Sequence, residues 1–153
     1  MRPGVRLGVD PGSVRVGFAR SDASGMLAFP VVSAIKDLDD SAVLRDLIAE
    51  HQVIEIYIGL PLGLSGADTA STMVARDYAR RVASEVAPIP VRVVDERLTT
   101  VSASAAMRIA GKDARKQRES IDAAAAAVLL QHVLDSESAS GRVPGDLIVV
   151  TDE

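Results

Sequence analysis

The sequence predicts an α/β protein with a five-stranded mixed sheet flanked by helices, in which three antiparallel strands are followed by two parallel ones reached through helical crossovers. Three observations lead there. Apolar residues alternate with polar or small ones over Val5–Asp10, Arg15–Ser21 and Leu27–Val32, with only short turn-like links between them. Short links favour an antiparallel meander. After it, helical and strand patterns take turns, which is how parallel crossovers read in a sequence.

The elements follow in order. Val5, Leu7 and Val9 share one face of the first strand, while Arg6, Gly8 and Asp10 share the other. Because Gly8 has no side chain, the sequence leaves that face open next to Asp10. Asp10-Pro11-Gly12 then reads as a tight turn, with proline presetting φ and glycine accepting a positive one. Ser41 is placed to cap a helix to about Gln52, with Val43, Leu44, Leu47 and Ile48 on one face. Ile54–Ile58 is the fourth strand and Gly59–Gly66 a loop. A long helix starts at Asp68 or Thr69 and runs to about Val86, where Pro88 and Pro90 prevent its continuation. Val91–Val94 is a short fifth strand, and Thr99 or Thr100 caps a helix to about Ala110. Gly111–Glu119 is polar and turn-like, and Ser120 caps a last helix from Ile121 to about Ser136. The alanines from Ala123 to Ala127 give that helix a smooth surface for close packing on the sheet. This order of elements is that of the ribonuclease H fold. Residues 1–136 are expected to form that domain and 137–153 a loose, flexible tail, within which Leu147–Val150 has the composition of a short docking strand.

Composition narrows the function. A chain of 153 residues favours one domain over a two-domain enzyme. The absence of cysteine excludes disulfide scaffolds and thiolate metal sites and suits a reducing compartment. No signal-like segment and no apolar run of membrane-spanning length is present, so the expected location is cytoplasmic, with no membrane partner. A net charge of −4 means that any polyanionic partner is held by a local patch. Arg108–Glu119 is such a patch: Arg108, Lys112, Arg115, Lys116 and Arg118 stand against Asp113 and Glu119, net +3, just ahead of Asp122. A basic segment beside carboxylates suits a phosphate backbone, although a solvated charged loop has the same composition.

Acidic residues fall at matching topological places: Asp10 ends the first strand, Asp95 and Glu96 end the fifth, and Asp122 opens the last helix. Carboxylates without histidine or cysteine partners are a hard-oxygen donor set for Mg²⁺ or Mn²⁺, and such ions activate water for phosphodiester hydrolysis. Each acid also has a plainer reading. Asp122 near a helix start is stabilised by the helix dipole, Glu96 pairs with Arg97 or faces solvent, and Asp95 closes an Asx turn. Alternation puts Asp95 and Glu96 on opposite faces, so only one of them can join Asp10. With strands about 4.8 Å apart, it must reach inward from roughly 10 Å. His51 and His132 lie at the end of a surface helix and within the last helix, which sets serine hydrolase chemistry aside.

The segments Val9–Gly17 (VDPGSVRVG), Ile58–Leu62 (IGLPL), Asp95–Thr100 (DERLTT) and Ser120–Ala126 (SIDAAAA) resemble, in order and spacing, the motifs of the YqgF family, also called RuvX. These are bacterial ribonuclease H-like nucleases related in fold to the RuvC Holliday-junction resolvases. The resemblance spans about residues 5–135. It implies catalytic and metal-binding acids at Asp10, Glu96 and Asp122, served by Mg²⁺ or Mn²⁺, with Arg97, Lys112, Arg115, Lys116 and Arg118 gripping phosphates. It implies a nuclease that matures the 5′ end of precursor 16S ribosomal RNA. The alternatives are a resolvase acting on branched DNA, expected as a homodimer matching its substrate, and a noncatalytic nucleic-acid or ribosome-assembly module of the same fold. Asp10-Pro11-Gly12 also resembles the first phosphate loop of the actin and sugar-kinase group, but those enzymes close two such domains over a nucleotide. The scarcity of aromatics argues against a stacking platform for single strands.

Overall fold

The computed structural model describes residues 2–96 and 114–150, with 114–121 as backbone. Its strands are β1 (Val5–Pro11), β2 (Arg15–Ser21), β3 (Ala28–Ile35), β4 (Val53–Leu60), β5 (Val91–Asp95) and β6 (Asp146–Leu147). Its helices are α1 (Asp40–Glu50), α2 (Ala70–Val86) and α3 (Ala114–Ser140). The sheet order is β3-β2-β1-β4-β5-β6. The first three strands pair antiparallel, while β4 is parallel to both β1 and β5. The meander and the two parallel crossovers are therefore as expected.

The five-strand expectation is corrected to six. Gly145, at φ +80°, adopts a left-handed turn where a side chain would run into Val94 and the Val93 carbonyl. That turn lays Asp146–Leu147 antiparallel on β5, and the Ile148 N–H donates to the Val91 carbonyl at 2.9 Å. Helix α3 runs on past residue 136 to Ser140, and within the following segment Asp146–Leu147 docks on the sheet edge. The start of the last helix also moves. Residues 114–120, expected to include a polar turn, are helical, so Asp122 lies inside α3 rather than at its N-terminus. The helix dipole reading of Asp122 falls with it. Helix α1 begins at Asp40 rather than after Ser41, whose hydroxyl instead donates to Glu85 at 3.1 Å. The long helix starts where expected, and its start is capped: the Thr69 hydroxyl accepts from the Thr72 N–H and Thr72 answers in a reciprocal capping box. The helix expected over 99–110 lies outside the described residues.

Strand alternation buries both sheet faces. Leu7, Val9, Val16, Phe18, Ile56, Ile58 and Val93 pack against Leu44 and Leu47 of α1 and Ala75, Tyr78, Ala79 and Val82 of α2. On the other face, Ala19 and Tyr57 pack against Ala126, Leu130, Val133 and Leu134 of α3. Each fully buried Val, Leu, Ile or Phe among them contributes about 1.5–3 kcal/mol relative to exposure, and each alanine about 1 kcal/mol or less.

The α3 face also carries a buried ionic cluster that the strand pattern does not announce. Arg6 is fully buried, and its guanidinium donates to Glu137 at 3.0 Å and to the Gly4 carbonyl at 2.9 Å. Arg2 joins Glu137 at 3.1 Å and Glu55 at 2.8 Å, while Arg92 donates to Glu55 at 3.1 Å. The Tyr57 hydroxyl donates to Glu55 as well. The cluster ties the C-terminal part of α3 to the starts of β1 and β4. Among the described residues no helix is long and apolar enough to cross a membrane.

Candidate active site

Asp10 is the penultimate residue of β1 and faces α3, paired in register with Gly17 of β2. Val9 pairs with Ile58 on the other side, so Gly59 of β4 is the next neighbour of Asp10. Val94 of β5 is registered with Gly59 and packs with the α3-side core. A row of positions thus runs across the sheet: Gly17, Asp10, Gly59, Val94. The backbone N–H of Glu96 donates to the Leu60 carbonyl at 3.3 Å, which carries the register a step past β5. This puts Glu96 on the face of Val94 and of Asp10, while Asp95 is exposed.

The glycines of the row are needed for close approach. A Cβ on Gly59 would lie 2.5 Å from Glu96 Oε2 and 3.2 Å from Leu129. The Glu96 side chain therefore lies across Gly59, which is how it covers the distance from β5 to Asp10. A Cβ on Gly17 would overlap the backbone carbonyl of Asp122. One on Gly8 would come within 2.8 Å of the Ala126 carbonyl. The expectation of an open face at Gly8 is corrected: α3 fills it, because alanines and glycines in contact let helix and sheet backbones approach.

The site is electrostatically loaded. Burial pushes the Asp10 carboxyl up; a hydrogen bond with Glu96 works against this and the charge of Asp122 adds to it. Burial, the Asp10 charge and the hydrogen bond to Asp10 push Glu96 up to about 8. The Asp10 and Glu96 carboxyls are half-buried and hydrogen-bonded to one another, an arrangement that favours a proton on Glu96. Asp122 brings a third carboxylate close enough to be felt by Asp10, and its Oδ2 accepts from Arg15 Nε at 3.1 Å. Asp122 is held by Arg15, and no group of three or more such side chains placed to hold a metal ion is found among the described residues.

The structure thus brings Asp10 and Glu96 into contact, with Asp122 alongside. Arg97 and Lys112 lie outside the described residues; Arg115, Lys116 and Arg118 fall on the opening turns of α3. His51 closes α1 and His132 is exposed, both away from the acids. The residue that sequence reasoning missed is Arg15. Its signal was the strand period, which puts it on the face of Gly17 two residues on.

A mixed sheet in this order, with acids at the end of β1, just past β5 and on the helix crossing them, is that of the ribonuclease H-like class of α/β proteins. Similarity to solved structures agrees: RuvC of Thermus thermophilus in complex with a Holliday junction substrate aligns with a TM-score of 0.54 at 15% identity, covering 95% of this chain and 99% of that one. The family model described as "RuvX: Holliday junction resolvase" matches residues 4–136. The chain belongs to the RuvX family. A relative from Nocardioides sp. (strain ATCC BAA-499 / JS614), named "Putative pre-16S rRNA nuclease", is 46% identical over 99% of this chain and 100% of its own length. Relatives of the same name from Clavibacter michiganensis and Streptomyces coelicolor are 49% and 44% identical, covering 97% and 98% of this chain and 93% and 91% of their own lengths.

Proposed function

We propose that this protein is a divalent-metal-dependent endonuclease that hydrolyses phosphodiester bonds in the 5′-end maturation of precursor 16S ribosomal RNA. The observation that carries the reading is the meeting of the Asp10 and Glu96 carboxyls across Gly59, with Asp122 alongside. Two half-buried carboxylates in contact repel one another unless something positive lies between them, and a hard dication serves better than a proton. The donor set, all carboxylate oxygen, fits Mg²⁺ or Mn²⁺. Asp10, Glu96 and Asp122 would hold the ion, which when bound supplies an activated water and stabilises the leaving oxygen. The protein's own residues orient the reaction. The row Gly17–Asp10–Gly59 gives the acids a rigid floor, and the buried surroundings of Asp10 and Glu96 limit competing water. Arg97, Lys112, Arg115, Lys116 and Arg118 would grip the phosphates of the substrate, and the reaction takes place in the cytoplasm, where precursor RNA is made.

The names of the relatives support the RNA substrate. The family description supports resolution of branched DNA as the alternative, carried out by a symmetric dimer. The hold of Arg15 on Asp122 favours a different reading, a noncatalytic nucleic-acid or ribosome-assembly module. A cleavage assay on precursor 16S RNA and on a four-way DNA junction, with and without Mg²⁺ or Mn²⁺, separates these. The expected result is metal-dependent cleavage of the RNA precursor that Asp10→Asn abolishes. Cutting confined to the junction would select the resolvase, and binding without cleavage would select the module.

A further inference from the structure

We propose that Arg15 is a positioning residue for Asp122 that competes with a divalent cation for its carboxylate. The inference rests on the metal-nuclease reading above and adds a control element to it. Arg15 opens β2 on the same face as Gly17, and its Nε lies 3.1 Å from Asp122 Oδ2. Its backbone is anchored: the Gly12 N–H donates to the Arg15 carbonyl at 2.8 Å, closing the turn that begins at Asp10. A Cβ on Gly12 would lie 2.8 Å from that same carbonyl oxygen, so the turn closes this tightly because residue 12 is glycine. The Lys36 N–H donates to the Val14 carbonyl at 2.9 Å and secures the corner from the β3 side. Asp10 and Arg15 are thus the two ends of one rigid turn.

Asp122 is anchored too, because its backbone carbonyl sits against Gly17. With both backbones held, the freedom that remains is in the side chains. Both are 29% exposed, so the pair can be opened without unfolding its surroundings. A guanidinium and a dication repel one another, and a carboxylate oxygen that accepts from one is a weakened ligand for the other. The cation-free site therefore keeps Asp122 on Arg15. With an ion held by Asp10, Glu96 and Asp122, the Arg15 guanidinium would be released from Asp122, and its planar donor fork would suit a phosphate.

The test is Mn²⁺ binding to the metal-free full-length chain, followed by electron paramagnetic resonance of the free ion. Arg15→Gln is expected to bind Mn²⁺ about five- to tenfold more tightly than the parent, and Arg15→Lys within about twofold of it. In an Asp122→Asn background the gain from Arg15→Gln is expected to shrink below about twofold. An Arg15→Gln affinity equal to or weaker than the parent's overturns the proposal, as does a gain that persists without Asp122. A second measurement needs no variant: the Arg15 Nε–H nuclear magnetic resonance signal of the unmodified protein is expected to shift as Mg²⁺ saturates the site, and an unmoved signal overturns the proposal. Mn²⁺ binding and cleavage that ignore Arg15 defeat this inference alone. No Mn²⁺ binding to any form defeats the metal-nuclease reading with it.

Discussion

Glu96 hydrogen-bonds Asp10 across Gly59, so two acids that leave the sheet on strands with β4 between them end in contact. Burial and the mutual charge of the pair both favour a proton on Glu96. Its titration couples the site to the stability of the fold.

In the cation-free protein, stability is expected to fall as pH rises from about 4.5 toward 8. Glu96 is pushed up from the ordinary glutamate value of 4.5 to about 8 in the fold, so the folded state binds the proton more tightly than the unfolded one. That contribution is fully present below 4.5 and lost through 8. Allowing for partial exposure, the loss is about 1–3 kcal/mol. Urea titrations at pH 5 and pH 8 measure it, and Glu96→Gln should flatten the difference. A stability that rises across this window in the parent protein would contradict the assignment.

Asp10→Asn is expected to abolish cleavage and yet stabilise the cation-free protein at pH 8 by about 1–2 kcal/mol. Removing the Asp10 charge takes away one cause of the raised Glu96 pKa and leaves an amide that still hydrogen-bonds. Thermal melting beside an activity assay reads both effects, and a variant that loses activity because it unfolds would refute the argument.

Gly17→Ala is expected to cost about 2–4 kcal/mol, since a methyl there overlaps the Asp122 carbonyl and α3 must lift from the sheet. Chemical denaturation gives the number. A substitution at Ser33, registered with Gly17 on β3, serves as the control and should change stability by less than about 1 kcal/mol.

Glu137→Gln is expected to destabilise by about 3–5 kcal/mol, because it leaves the Arg6 guanidinium buried without its counter-charge. Replacing Arg6 and Glu137 together by methionine should recover most of the loss, because no unpaired buried charge then remains. A double variant as unstable as Glu137→Gln would show that the cluster acts through packing instead.

The strand period by itself placed Asp10 at the end of the first strand, and the short links and proline stops placed the meander and the crossovers. The sequence also determined that the last helix would pack closely, since the run from Ala123 to Ala127 leaves few other uses for it. What it left open depended on contacts between distant segments. Local pattern cannot choose between Asp95 and Glu96; the choice was made by Gly59, which clears a path for Glu96 alone. Nor does it reveal that Asp122 lies inside α3, because turn-like composition over 114–120 was overridden by continuation of the helix. Arg6 read as the polar side of a half-exposed strand, and only the arrival of Glu137 made its burial tolerable. Arg15 likewise gained its partner when α3 settled on Gly17. Periodicity is a property of neighbouring residues and survives in the sequence. The pairing of buried charges is settled by which distant backbones the glycines allow to meet, and that is decided only when the chain folds.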